Sequence, residues 1–201
     1  MLHTVRVALL PEHLDGGDIE LRRARPELSD AFYDATLASF EELHQWMTWA
    51  HEVPTRAALI AFLSSAHALF DRDEDCNYAL IEKSSGDVVG SSGLHFKGDP
   101  RSREIGYWVR TDRTRRGYAT SAARALSAAA FRFLPIERVT IRMDKANVAS
   151  ASVPPKIGFR LLGEEDRPLE TPGHTGTGLI WIRERDPGER SPTQVAGAPG
   201  G

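Results

Sequence analysis

The chain has 201 residues, 41% hydrophobic and 26% charged, with a formal net charge of −3, a composition that fits one globular domain with a full core. No apolar run approaches the ~18 residues of a membrane span, and the opening MLHTVRVALLPEHLDGG turns polar too soon for a secretory leader. Slight acidity argues against general nucleic-acid binding, so the expected address is cytoplasmic, without membrane or nucleic-acid partners.

Taken in order, Thr4–Leu10 and Ile19–Arg23 alternate apolar and polar residues around Asp15-Gly16-Gly17-Asp18, which predicts two edge strands joined by a turn. Pro26-Glu27-Leu28-Ser29-Asp30 reads as a helix start, with the helix continuing toward Ser39. A second helical stretch holds Leu43, Trp46 and Met47, with Trp49 three residues beyond Trp46. His44 and His51 are seven residues apart on that pattern, but without a third ligand no metal site is expected. Pro54-Thr55-Arg56 opens another helix, whose stripe is Leu59, Phe62, Leu63, Ala66, Leu69 and Phe70. Three strands follow, Asn77–Glu82, Val88–Phe96 and Arg103–Val109, linked by Ser84-Ser85-Gly86-Asp87 and Gly98-Asp99-Pro100 as an antiparallel meander. The single cysteine, Cys76, opens the run CNYALIE and is expected to be a buried structural thiol.

The organising stretch is Arg103 to Thr120, REIGYWVRTDRTRRGYAT, in which a strand passes through an arginine-rich loop into an alanine-rich helix ending before Pro135. The first N–H groups of a helix lack intrahelical partners and carry the positive end of the helix dipole, so phosphate is a natural guest there. Gly117 admits close approach of a ligand, Ala119 keeps the first turn uncrowded, and Thr120 offers a hydroxyl. Between Arg101 and Arg116, six arginines face two carboxylates, a formal +4 in a chain of net −3. An ordinary solvated loop has the same composition. A nucleotide-triphosphate loop and a dinucleotide fingerprint are excluded, since the required Gly-Lys-Ser/Thr and three spaced glycines are absent.

Beyond this helix, Val139–Met143 reads as a buried strand, and Asn147 as the cap of a further helix that Gly158 would end. Phe159–Gly163 and Gly178–Glu184 supply the last strands. The segment 187–201, rich in Pro, Gly and Ser, is expected to be a disordered tail after a single domain over 1–186.

SFEELHQWMTW, EIGYWV, RTRRGYAT, and NVAS with KIGF, in that order and spacing, resemble the GNAT superfamily of N-acetyltransferases and its RimJ/RimL-like branch, from about Ile19 to Glu184. The resemblance implies an α+β, three-layer fold: a mixed, mostly antiparallel twisted sheet flanked by helices on both faces. It implies acetyl-CoA as co-substrate, no metal, and a primary amine acceptor, either a protein amino terminus or a small molecule. By the resemblance, Arg115, Arg116, Gly117, Tyr118, Ala119 and Thr120 hold the pyrophosphate. Val109 pairs its backbone with the pantetheine arm in a strand splayed from its neighbour, and Asn147 and Ser150 face the cofactor near its thiol. Two departures stand out: Arg115 occupies a position where the family carries glycine, and Pro154 replaces a tyrosine that often acts as general acid.

Direct transfer needs a base for the amine and hydrogen-bond donors for the thioester oxygen and the leaving sulfur. Glu104, at the start of the strand, is the candidate base, and Ser150 or a water the candidate acid, with Asn147 beside it. A backbone N–H near Val109 would polarise the carbonyl. Trp46, Trp49 and His95 are candidates to line the acceptor side. At pH 7 a lysine near 10.4 costs roughly 4.6 kcal/mol to deprotonate and an α-amine near 7.8 only roughly 1.1, which favours the α-amine. The alternative function is a CoA-binding sensor of the same fold without turnover. Acyl-chain length stays open, as does the choice between monomer and homodimer.

Overall fold

The computed structural model describes residues 10–186 and 188. The expected strand over Thr4–Leu10 lies almost wholly outside the described residues, as does the expected tail except Gly188. The first strand described is instead β1, His13–Gly16, paired antiparallel with β2, Ile19–Arg23, through a two-residue turn in which Gly17 has φ +78°. Gly16 belongs to the strand, because the register pairs it with Ile19.

A 3₁₀ turn at Pro26–Leu28 leads into α1, Ser29–Leu37, and α2, Phe40–Trp46, follows after two residues. Trp49 and His51 therefore lie beyond the helix. His44 and His51 share no helical face, and the His44 ring instead meets the Ala50 carbonyl (Nδ1 to O, 2.9 Å). In α3, Arg56–Phe70, the Thr55 hydroxyl accepts from the Ala58 N–H at 3.1 Å, capping the first turn. Leu59, Leu63, Ala66 and Phe70 form its buried stripe, whereas Phe62, expected in the stripe, is half exposed one step off the face.

β3 (Asp75–Glu82), β4 (Val88–His95) and β5 (Ser102–Val109) form the expected meander. Next come α4, Tyr118–Phe133, β6, Arg138–Asp144, and a single-turn α5, Val148–Ala151. The sequence predicts one helix from Asn147 to Gly158. It is broken, because Pro154 and Pro155 start a separate 3₁₀ turn, which Gly158 ends at φ +82°. β7, Arg160–Asp166, and β8, Thr177–Glu184, complete one eight-stranded sheet in the order β1-β2-β3-β4-β5-β6-β8-β7.

Every neighbouring pair in the sheet is antiparallel except β5 and β6. α4 covers one face through Ala122, Ala123, Leu126, Ala130 and Phe131, where the alanines allow a close approach to Leu80, Ile105 and Ile141. α1 and α3 cover the other through Phe32, Ala35 and Leu63 against Ala79, Ile81 and Val88. The architecture is thus the α+β three-layer one expected. Cys76 is buried in the first of these cores, and that burial pushes its thiol up to about 12.

Gly90 sets the close contact between β4 and the end of β5: a Cβ there would stand 2.2 Å from the Trp108 carbonyl oxygen. Gly90→Ala is expected to lower unfolding stability by about 2 kcal/mol or more through overpacking, measured by urea denaturation. The same variant is expected to disturb Trp108 fluorescence.

Candidate functional site

β5 and β6 pair over three positions only, Ser102 with Arg138, Arg103 with Val139 and Glu104 with Thr140. Past Glu104, β5 pairs only with β4 and β6 only with β8, so the facing edges of Ile105–Val109 and Ile141–Asp144 share no ladder. The two strands part like a wedge. The first turn of α4 stands at its open end, with α5 beside it, and the gap forms a cavity of about 560 Å³.

Of the residues singled out in the sequence, this cavity gathers Trp46, Val109, Arg115, Gly117, Tyr118, Ala119, Thr120, Asn147 and Ser150. Gly117 is the N-cap of α4 at φ +82° and makes no side-chain cap. Among the described residues no acceptor meets the first-turn N–H groups of Tyr118, Ala119 and Thr120; the helix ladder begins with Ser121 donating to the Gly117 carbonyl at 2.9 Å. That is the electrostatic and geometric requirement for an anion site at a helix start.

The arginine loop behaves less simply than its composition suggests. Arg116 does not line the cavity; its Nη1 donates to Glu82 at 3.0 Å. The Tyr118 hydroxyl also donates to Glu82, in a short contact, so Tyr118 can offer a phosphate only its backbone N–H. Arg113 reaches Glu82 at 3.6 Å, and Arg110 pairs with Asp112 at 2.8 Å. Arg115 and Lys156 line the cavity with no carboxylate partner among the described residues. Arg115 has φ +63°, the conformation a glycine takes freely. The substitution seen in the sequence therefore does not block the loop, but holds a non-glycine residue in a left-handed turn.

Glu82, 4% exposed on β3, ties the loop to the sheet. The Tyr118 hydroxyl first, then the Ser85 hydroxyl and the charges of Arg113 and Arg116, hold its carboxyl below the usual range. Asn147 plays the capping part: its Oδ1 accepts from the Ser150 N–H at 3.0 Å, which fixes α5, and Asn147 itself lines the cavity.

Tyr107 is the residue the sequence reading missed. It lies on the cavity wall two residues before Val109, on the same face of β5. Its hydroxyl donates to the Ser150 carbonyl at 3.1 Å, and the Ser150 hydroxyl donates back to it at 3.2 Å. Burial pushes the phenol up to about 12, with the Ser150 hydrogen bond opposing. The period-two pattern running back from Val109 was the signal that could have found it.

Glu104 and His95 fall outside this cavity. They are cross-strand partners, in register on the opposite face of the sheet from Tyr107. Glu104 sits at the last paired position before the strands part, in ion-pair contact with Arg142 at 3.1 Å, and faces a separate cavity of about 270 Å³. His95 Nδ1 meets Asp75 at 3.1 Å, and its ring lies over Gly93 and Gly106. Trp49 is 48% exposed and rests at 6.4 Å from Trp108, itself a lining residue. The β7–β8 loop closes the wall behind Trp46: the Gly173 N–H donates to the Gln45 carbonyl at 3.0 Å, and a Cβ on Gly173 would collide with both. Buried Asp144 secures that loop by accepting from the Thr175 N–H and hydroxyl at 2.8 Å. Among the described residues no cluster of His, Cys, Asp and Glu could hold a metal ion.

The site is thus a parted pair of parallel strands in an α+β domain, with a glycine-capped helix start at the opening. Residues 18–160 match the acetyltransferase (GNAT) domain family, and the chain belongs to it. YdaF of Bacillus subtilis (strain 168), whose name assigns it to the ribosomal N-acetyltransferases, is 37% identical over 75 residues. That alignment covers 37% of this chain and 41% of YdaF, less than half of the curated relative's length. Among solved structures, the RimL ribosomal L7/L12 α-N-protein acetyltransferase in complex with coenzyme A matches with TM-score 0.79 and 20% identity, covering 86% of this chain and 98% of that one. Mycobacterium smegmatis RimJ in complex with CoA-disulfide matches at 0.78 and 24%, covering 94% and 96%. The microcin C7 self-immunity acetyltransferase MccE in complex with acetyl-CoA and AMP matches at 0.79 and 17%, covering 89% and 99%. At these identities the likeness is one of fold.

Two substitutions test the loop. Glu82→Gln is expected to lower the melting temperature. The deficit should be full above the unfolded carboxylate pKa of about 4.3 and should shrink as pH falls through the lower folded value, because protonation then removes the same contacts from the wild type. Arg115→Gly relieves a left-handed strain of about 1–2 kcal/mol against a glycine entropy cost of about 0.5–1. It is expected to leave denaturant stability level or up to about 1.5 kcal/mol higher, while weakening binding of an anionic ligand.

Proposed function

We propose that the protein is an acetyl-CoA-dependent N-acetyltransferase acting on a primary amine by direct transfer. The observation that carries this reading is the first turn of α4, whose N–H groups have no partner among the described residues, standing at the gap where β5 and β6 part. The residues present fit the co-substrate. The N–H groups of Tyr118, Ala119 and Thr120, with the Arg115 cation, suit a pyrophosphate. The unladdered edge of β5 up to Val109 suits the amide-bearing arm. Bound there, acetyl-CoA would supply an activated thioester carbonyl.

The chain's own groups do the rest. A free backbone N–H of β5 would hold the carbonyl oxygen, as in an oxyanion hole. Ser150, with Asn147 fixing its helix, would stand by the sulfur. Glu104, held by Arg142 where the strands part, would take the amine proton through water, with His95 on the same face. Trp46 and Trp49 would border the acceptor's approach. Because one half-buried carboxylate paired with Arg142 is a modest base, an α-amine is the favoured acceptor over a lysine side chain, by the roughly 3.5 kcal/mol that separates their deprotonation at pH 7. The description of RimL as an L7/L12 α-N-protein acetyltransferase supports an α-amine acceptor, and the name of YdaF supports a ribosomal one.

Calorimetric titration of acetyl-CoA is expected to give micromolar-range binding that Gly117→Trp abolishes, since an indole at the helix start would block the cradle. Acetylation of amino-terminal peptides is then expected, falling ~10²- to 10⁴-fold in kcat for Glu104→Gln. Binding without turnover on any amine would favour a CoA sensor. No binding would overturn the reading.

A further inference from the structure

The family position that often carries a tyrosine is Pro154 here, at the start of a 3₁₀ turn, so no phenol reaches the cavity from that side. A phenol arrives instead from the facing strand. Tyr107 and Ser150 line the same cavity, 43 residues apart in sequence, and exchange two hydrogen bonds. We propose that Tyr107 is a positioning residue for the leaving sulfur, holding the Ser150 hydroxyl so that its hydrogen meets the sulfur as the carbon–sulfur bond breaks. This inference rests on the acetyltransferase reading.

The Tyr107–Ser150 pair holds two hydroxyl hydrogens. Each hydroxyl has one hydrogen to give and lone pairs to receive. As described, the Tyr107 hydrogen goes to the Ser150 carbonyl and the Ser150 hydrogen goes to Tyr107, so both are used. Turning the phenol hydrogen from the carbonyl to Ser150 Oγ needs only rotation about the C–O bond. The Ser150 hydrogen is then free to point into the cavity. The phenol stays protonated at any working pH, because burial raises it to about 12. For the same reason it is a weaker acid than a thiol of ordinary pKa near 8.5, so it orients a donor and does not itself surrender a proton.

In the step served, the carbon–nitrogen bond forms and the carbon–sulfur bond breaks, with its electron pair staying on sulfur. The amine proton passes to Glu104 through water. The thiolate leaves hydrogen-bonded to Ser150 and takes a proton from solvent, so Ser150 and Tyr107 keep their own hydrogens.

The test is the ultraviolet titration of the CoA thiol bound to wild type, Tyr107→Phe, Ser150→Ala and the double variant, each checked for folding by its melting curve. In wild type the bound thiol is expected to ionise at lower pH than free CoA. Tyr107→Phe should raise that value, Ser150→Ala should raise it further, and the double variant should match Ser150→Ala. The kcat for acetyl transfer should fall about 10-fold in Tyr107→Phe and ~10²-fold in Ser150→Ala, the latter comparable to losing one donor from an oxyanion hole, with KM for acetyl-CoA little changed. A bound-thiol titration that Tyr107→Phe leaves in place, or additive effects in the double variant, would overturn the proposal while the acetyltransferase reading stands. Failure of wild type to bind CoA would sink both. Should Tyr107→Phe not fold, Ser150→Ala reports on the same pair: a bound thiol titrating as in wild type would overturn the proposal.

Discussion

The whole arrangement depends on the parting of β5 from β6 after three residue pairs. Backbone N–H and C=O groups left without partners in a protein interior are costly, so a sheet that opens in its middle must give those edges something to meet. Here the opening faces a cavity and the start of a long helix. The strand pair, the cavity and the partnerless first turn of α4 are therefore one feature seen from three sides. The antiparallel neighbours β4 and β8 keep the opened strands in place, and so the wedge does not unravel the sheet.

The loop between β5 and α4 is held by charge rather than by apolar contact. A run of arginine would repel itself and remain mobile without counter-charges. Glu82, buried at the end of β3, gathers Arg113, Arg116 and the Tyr118 hydroxyl at one point. Most of the loop's positive charge is thereby paired with carboxylates, Arg113 on the cavity wall included, and among the described residues the lining charge without a carboxylate partner is that of Arg115 and Lys156, beside the helix start itself. The left-handed Arg115 is the local strain this arrangement tolerates, a common property of residues that line functional loops.

The opposite walls come from segments distant in sequence. The β7–β8 loop docks on the end of α2 through Gly173 and Gln45, and buried Asp144 anchors that loop to the end of β6. The acidic and imidazole groups Glu104, His95 and Asp75 form a row across the other face of the sheet, each in register with the next. The two faces thus present different chemistry to the gap. Donors stand on the α4 and α5 side, and groups able to take a proton on the other.

Local rules settled much of this in the sequence. Alternation over IELRR and the aromatic and β-branched residues of EIGYWV marked strands, proline and threonine placed the start of α3, and glycine before an alanine-rich run placed α4, because propensity, capping and turn chemistry act over a few residues. The same locality explains the failures: a buried Phe62 was inferred from period alone, and one helix was drawn through Pro154 and Pro155, where the chain makes two turns. What the sequence could not decide was which side chains meet. Arg116 and Tyr118 turn to Glu82, 34 and 36 residues away, and Tyr107 meets Ser150 across 43. Those pairings depend on strand order and on where β5 and β6 separate, and no local pattern encodes them. Composition, elements and the position of the anion-binding corner were thus written in the sequence. The division of arginines between scaffold and ligand, and the supply of a phenol from the strand, were decided only when the sheet closed around them.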